Sequence, residues 1–314
     1  MNFQQLRIIR ETVRQNFNLT EVANALFTSQ SGVSKHIKDL EDELGVELFV
    51  RRGKRLLGLT EPGKELEAIV ERMLLDARNI KRLADQFSKR DEGQLTVATT
   101  HTQARYVLPA VVKRFKQAYP KVHLALHQGS PAEIAEMLRS GDADLGIATE
   151  ALDGLPEIVT FPYHRWHHAV IVPDGHPLTQ VQPLTLAAIA DYPLITYHEG
   201  YTGRARIDAT FAAAGLVPDI VISALDADVI KTYVELELGL GIVASVAFNP
   251  ARDRGLQMID SKHLFDENTT RIAVRRGHYL RGFVYRFVEF CAPELTEALV
   301  RPAIAPQRDD RAAD

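Results

Sequence analysis

The sequence predicts a winged helix-turn-helix, a long linker helix and a two-lobe α/β domain. Three observations carry that prediction. Two short helix patterns and a basic hairpin occupy the first sixty residues, an apolar stripe with heptad spacing runs through residues 61–90, and strand–helix alternation occurs in two successive runs from Gly93 onward. At 314 residues the chain exceeds one ordinary hydrophobic core, so more than one domain is expected.

Phe3, Leu6, Ile9 and Val13 fall on one face of a first helix. Asn18 and Glu21 have capping-box spacing and open a second, "LTEVANALF". In "TSQSGVSKHIKDLEDELG", Ser29 is the expected N-cap, Val33, Ile37, Leu40 and Leu44 the buried stripe, and Gly45 the stop. Two short helices joined by a tight turn form a helix-turn-helix, whose second helix enters the major groove by its N-terminal end. Ser29, Gln30, Ser31, Ser34, Lys35 and Lys38 are therefore the base- and phosphate-contact candidates. "VELFVRRGKRLLGLT" alternates around Gly53 and predicts a wing whose Arg51, Arg52, Lys54 and Arg55 lie along phosphates. A basic run by itself is more often a solvated face; here it follows two capped helices in register. The net charge of -4 does not argue against this, because nucleic-acid binding needs local positive charge rather than a basic total.

Residues 61–90 form the linker (dimerisation) helix. Leu66, Val70, Met73, Ala77, Ile80, Ala84 and Phe87 alternate steps of four and three, the spacing of a seam between paired helices. The same stripe also suits a helix packed on its own domain.

Residues 91–300 read as the effector-binding domain, with lobe I at about 91–162 and 266–300 and lobe II at about 163–265. "QLTVAT", "KVHLALHQGS" and "ADLGIATE" are strands of the first run; "LITY", "DIVISAL" and "LGIVAS" belong to the second, and alternation with helices predicts parallel sheets. Residues 301–314 look like a frayed, flexible tail. Ligands of open α/β sheets sit beyond the carboxyl ends of the strands. Those ends carry Thr100, Thr102 and Gln103, then Gln128 and Ser130, Thr149, Tyr201 and Thr202, and Asp226 to Asp228. Most are neutral hydrogen-bonding groups beside helix N-termini, a chemistry that suits a small anion without Lys or Arg. Sulfate fits slightly better than protonated phosphate, although Glu150 could accept a proton's hydrogen bond. Each Thr or Ser alone suits a helix cap; their recurrence at strand ends argues for a site.

Other chemistry is missing. The single cysteine, Cys291, rules out an intrachain disulfide or a CxxC pair. No G-x-S-x-G, H-E-x-x-H or P-loop pattern occurs, so no catalytic residue, metal ligand or cofactor is assigned and an enzyme is not expected. "HRWHH", His164 to His168, would put His164, Trp166 and His168 on one face of a strand, without a carboxylate or Cys beside them. No signal-like apolar region opens the chain, which points to the cytoplasm.

The stretch "LFTSQSGVSKHIKDLEDELGVELFVRRGKRLLGLTEPG" resembles the signature of the LysR-type transcriptional regulators. "ATTHTQARYVLP", "HQGSP", "ADLGIATEAL", "TGR" and "DADVIKTYVELELGLGIVAS" resemble its CysB/Cbl branch. The resemblance implies a periplasmic-binding-protein-like effector domain, a homotetramer paired through the linker helix, and promoter DNA and RNA polymerase as partners. It further implies control of sulfur assimilation and cysteine synthesis, or of sulfonate use, by acetylserine, sulfate, thiosulfate or adenosine phosphosulfate. Carried over by position, Thr100, Thr102, Gln103, Thr149 and Thr202 stand where the branch holds sulfate, with Ser130 and Trp166 nearby.

Overall fold

A computed structural model describes residues 1–88, 91–149, 152–201 and 203–306. The chain divides into two compact units, Met1–Asp85 and Gln86–Asp314.

In the first unit, α1 (Phe3–Arg14), α2 (Leu19–Ala25) and α3 (Gln30–Leu44) precede a hairpin of β1 (Phe49–Arg52) and β2 (Arg55–Leu59), after which α4 (Glu61–Ser88) begins. Asn18 caps α2 by accepting from the amides of Thr20 and Glu21, and Ser29 caps α3 by accepting from that of Gly32. Gly45 ends α3 in the left-handed region, and Gly53, at φ +63, makes the tight turn in which Arg52 opposes Arg55. The core joins Leu6, Ile8, Ile9, Val22, Val33, Ile37, Leu40, Leu48 and Phe49.

Two expected stripe members face solvent. Phe3 is exposed, because α1 buries the face that runs through Gln5, Ile8 and Thr12. Leu44 is exposed as well; Glu41 takes the buried place, its carboxylate accepting from the amides of Leu48 (2.9 Å) and Phe49 (3.3 Å).

The apolar stripe of α4 divides. Leu66, Val70, Met73 and Leu74 pack on the core of the first unit. Ile80, Leu83 and Phe87 are exposed, Phe87 by 82%. The expected single seam is thus two surfaces.

The second unit holds two five-stranded sheets over separate cores. Its elements run β3 (Gly93–Thr99), α5 (Leu108–Ala118), β4 (Val122–Gln128), α6 (Pro131–Ser140), β5 (Leu145–Ala148), β6 (Ile158–Trp166), β7 (His168–Pro173), α7 (Leu186–Ala190) and β8 (Leu194–Tyr197). They continue with α8 (Arg204–Ala213), β9 (Ile220–Ala224), α9 (Ala227–Glu235), β10 (Leu240–Ala244), β11 (Leu256–Ile259), β12 (Asn268–Arg275), α10 (Gly282–Cys291) and α11 (Glu297–Ala303). Lobe I has the order β4-β3-β5-β12-β6 and lobe II the order β11-β7-β10-β8-β9.

Each sheet is mixed rather than parallel throughout. Three parallel strands carry the βαβ crossovers, while β12 and β6 in lobe I, and β7 and β11 in lobe II, add antiparallel pairs. The chain passes between lobes at His167 and returns before Asn268, so the first crossing falls four residues beyond the expected 162/163 boundary. His164 and His168 therefore belong to strands in different sheets, not to one face. At the end of the chain, α11 continues to Ala303 and Ile304 is buried, so the segment expected to be frayed is ordered through these positions. Positions 307–314 lie outside the described residues.

Candidate functional site

In the first unit, Gln30, Ser31, Lys35 and Lys38 are exposed on α3 and Ser34 is half-buried. Ser29 spends its hydroxyl on the cap and on a 3.2 Å contact with Ser31. Arg52, Lys54 and Arg55 are exposed at the wing. Gln30, Lys54 and Arg55 share a notch of about 370 Å³ with Thr20 and with Asn18, which the sequence marks only as a helix cap. Arg51 corrects the expectation of four equivalent wing cations: its guanidinium pairs with the buried Glu41 carboxylate. A cation so paired has less charge to give a phosphate.

In the second unit, the helical segment after β3 starts at His101, and Gln103–Val107 winds as a single π turn before α5. π turns are rare and occur often at functional sites. This one carries no side-chain cap, and α8 begins uncapped from Gly203 at φ +74. In the first turns, Ala104 N–H donates to Thr100 O (3.1 Å), and the amides of Arg204 and Arg206 donate to Tyr201 O and Gly203 O (2.9 Å each), so the backbone itself closes part of both starts. A Cβ on Gly203 would lie 2.7 Å from His168 Cε1, so the start of α8 approaches the inter-lobe strands as only glycine allows.

Two other helix starts, those of α6 and α9, are closed by side-chain caps. Ser130 caps α6 in a full capping box: its Oγ accepts from Glu133 N–H (3.2 Å) and donates to Glu133 Oε2 (2.9 Å), and its own amide donates to the same carboxylate (2.7 Å). Its donors are spent and a carboxylate stands there, so Ser130 does not join the site. Asp226 likewise caps α9 through Val229 N–H.

Thr100, Thr102, Gln103 and Trp166 are buried, and Thr149 is half-buried. Gln103, Trp166 and Thr149 meet at Thr270, a fully buried residue of β12 absent from the sequence expectation. Thr270 Oγ1 accepts from Gln103 Nε2 (3.0 Å) and from Trp166 Nε1 (3.1 Å), and lies 3.3 Å from Thr149 Oγ1. The indole is a donor only, which fixes that bond's direction. With both lone pairs of Thr270 taken, its proton is left for Thr149, and Thr149 keeps its own proton to offer elsewhere. Gln103 Oε1 is buried without a hydrogen-bond partner, while the Thr102 hydroxyl stands beside that of the buried Tyr197. Unpaired buried polar atoms are costly and mark a place where a ligand or water completes the set. Thr202 and Glu150 lie outside the described residues.

Beside this cluster a clasp joins the lobes. Asp228 of α9 receives Tyr106 Oη (2.7 Å) and Arg105 Nε (3.3 Å) from the π turn, with His101 Nε2 at 3.3 Å and Lys231 Nζ at 3.4 Å. Burial would raise this carboxyl, but bonds from Tyr106 and His101 and the Lys231 charge outweigh it and hold it at about 2. Lys231 itself is buried and also binds Asp253 (2.9 Å). Among the described residues, His101, Asp226 and Asp228 bring ligand-type atoms within 4.8 Å of one another. These atoms are engaged in the clasp and the α9 cap. Burial lowers the pKa of His164 and pushes the Cys291 thiol up to about 12, so both stay neutral near pH 7.

Comparison with known proteins agrees with both units. Residues 3–64 match the lysR family of bacterial regulatory helix-turn-helix proteins, and residues 88–296 match the LysR substrate binding domain. The chain is 61% identical over 308 residues to the HTH-type transcriptional regulator SsuR of Burkholderia cenocepacia, covering 97% of this chain and 100% of that one. It is 55% identical to the regulator CysB of the same organism, covering 97% of each. A crystal structure of the cofactor-binding domain of the Cbl transcriptional regulator matches with a TM-score of 0.66 and 51% identity, covering 68% of this chain and 93% of that one. No helix among the described residues is long and apolar enough to cross a membrane. With its DNA-reading unit and its effector domain both matched, the chain belongs to the LysR family of bacterial transcriptional regulators and is not an enzyme.

Proposed function

We propose that this chain is a cytoplasmic regulator of sulfur assimilation and cysteine biosynthesis genes that responds to a small anion of sulfur metabolism, acetylserine, sulfate or a relative. The observation that carries the effector reading is a cluster of uncharged groups in lobe I: Gln103, Thr149 and Trp166 joined through Thr270, with the buried Thr100 and Thr102 at the start of the same helical segment. Such a set binds an anion by oriented donors rather than by a counter-charge. Thr202 is kept in the proposed site from the sequence reading.

The domain division supports this reading, with a DNA-binding unit, a linker helix and a two-lobe effector domain. DNA is read by Gln30, Ser31, Ser34, Lys35 and Lys38 and held along its backbone by Arg52, Lys54 and Arg55, with Ser29 and Arg51 in supporting roles. The exposed Ile80, Leu83 and Phe87 of α4 support pairing with a second copy, and a homotetramer follows from two such pairs; RNA polymerase is the partner at the promoter. A second reading, control of sulfonate and sulfate-ester utilisation genes, is favoured by the likeness of the effector domain to that of Cbl.

Fluorescence anisotropy tests both. Promoter fragments of cysteine-biosynthesis and of sulfonate-utilisation genes are titrated with full-length protein, with and without N-acetylserine, O-acetylserine, sulfate or thiosulfate. Tight binding to cysteine promoters, shifted by one of these compounds, is the expected outcome. Binding confined to sulfonate promoters supports the second reading, and binding indifferent to all four compounds overturns the effector assignment.

A further inference from the structure

Two turns of the first unit hold a phenylalanine in the left-handed region, Phe17 at φ +64 and Phe27 at φ +51. That conformation is unfavourable for a bulky L side chain and persists where something repays it. For Phe17 the return is packing: its ring meets Phe49 edge-on at 6.3 Å and joins the core of the unit. Phe27 has no such return, because it is 98% exposed. The turn's own bonds, Phe27 N–H to Asn24 O (3.2 Å) and Thr28 N–H to Ala23 O (2.9 Å), are made by the backbone. An Asn at position 27 would keep both and adopt this φ more readily.

The ring sits two residues before Ser29, the cap of α3, and three before Gln30, whose neighbours at the helix start are exposed and polar. An aromatic side chain is thus fully presented beside the end of the helix that enters the major groove. Within that groove the apolar group on the base edges is the thymine C5-methyl. We propose that Phe27 is a specificity-determining residue that contacts the C5-methyl of a thymine next to the bases reached by Gln30 and Ser31. The inference rests on the helix-turn-helix assignment and is independent of which effector the second unit binds.

Two measurements on full-length protein test it, with a duplex selected by the wild-type chain from a randomised pool as probe. In Phe27→Asn, the melting temperature rises by a few degrees while affinity for the selected duplex falls about tenfold, equivalent to a modest apolar contact. The salt slope stays unchanged, because no phosphate contact is lost. Phe27→Leu falls between the two. Each thymine of the duplex is then replaced singly by deoxyuridine, which removes only the methyl. One position costs the wild type about fourfold, the worth of one buried methyl, and costs Phe27→Asn nothing. Four outcomes overturn the proposal: unchanged affinity in Phe27→Asn, a selected duplex without any methyl-sensitive thymine, the same deoxyuridine sensitivity in wild type and variant, or a loss explained by a changed oligomeric mass in sedimentation.

Discussion

In the wing, the cationic side chains of Arg52, Lys54 and Arg55 stand in water; in the lobe I cluster, Thr102, Gln103 and Trp166 are buried and carry no charge. The difference follows from the size and placement of the two proposed ligands. A duplex is a long polyanion that never leaves water, so exposed cations gain by releasing its counterions and lose that gain in salt. A small solute enclosed between lobes must be met by groups that can themselves be buried, and a neutral donor costs far less to bury than a lone cation. Arg51 and Lys231 are the instructive exceptions. Each approaches the interior, and each is held by a carboxylate, Glu41 in one case and Asp253 with Asp228 in the other.

The largest effect is expected where a buried charge supports the wing. Glu41 accepts from two backbone amides and pairs with Arg51. Glu41→Ala leaves both amides and the guanidinium without their acceptor, and should destabilise the first unit by about 3 kcal/mol. Chemical denaturation followed by helix content checks this; a loss no larger than that of Arg51→Ala would show that the carboxylate serves the arginine rather than the strand amides.

Next comes the uncharged cluster. Thr270→Val preserves volume but removes the acceptor of Trp166 and Gln103 and the neighbour of Thr149. Calorimetry should show sulfate affinity reduced about tenfold, the usual consequence of losing one well-placed hydrogen-bonding group. Thr270→Ser, which keeps the hydroxyl, should retain most of the affinity. Equal binding by wild type and Thr270→Val would detach Thr270 from the ligand.

Thr270 also shows what sequence could and could not reveal. The helix-turn-helix, its caps, the wing turn at Gly53 and most βαβ strands were legible, because each leaves a local mark: a period, a cap residue, a glycine. Thr100, Thr102 and Gln103 were singled out through the rule that ligands gather at the carboxyl ends of parallel strands, and they are buried just beyond the end of β3. Thr270 escaped that rule because β12 runs antiparallel to β5, with Arg271 opposite Ala148, so the amino end of β12 reaches the same edge. Strand direction is set by pairing across more than a hundred residues and leaves no local trace. Ser130 failed for the opposite reason: "SPAE" is a capping box first, and its hydroxyl was already spent. The stripe of α4 was visible, but periodicity does not say whether an apolar face meets its own core or a second chain.

A smaller effect separates the wing cations. Replacing Arg52, Lys54 or Arg55 by Ala should each flatten the dependence of log affinity on log salt by about 0.9, one phosphate contact apiece. Arg51→Ala should flatten it less, since Glu41 already neutralises that guanidinium. A slope change for Arg51→Ala as large as for Arg52→Ala would restore the picture of four equivalent cations.

The smallest effect belongs to the clasp that links the lobes. Asp228 has its carboxyl lowered from 3.8 to about 2, so the folded state favours its ionised form. Its contribution is therefore complete above about pH 4 and is lost as pH falls toward 2. The carboxylate is partly exposed, which lets solvent and salt screen the gain. Melting of wild type and Asp228→Asn between pH 5 and 2 should converge with acid, the variant being the less stable only at the upper end. Tyr106→Phe removes the 2.7 Å bond and should reproduce part of that difference. Because Tyr106 and Gln103 share the π turn, this substitution should also weaken sulfate binding by a small factor without touching the site. A Tyr106→Phe protein with unchanged sulfate affinity would mean that the clasp holds the lobes together without informing the ligand cluster beside it.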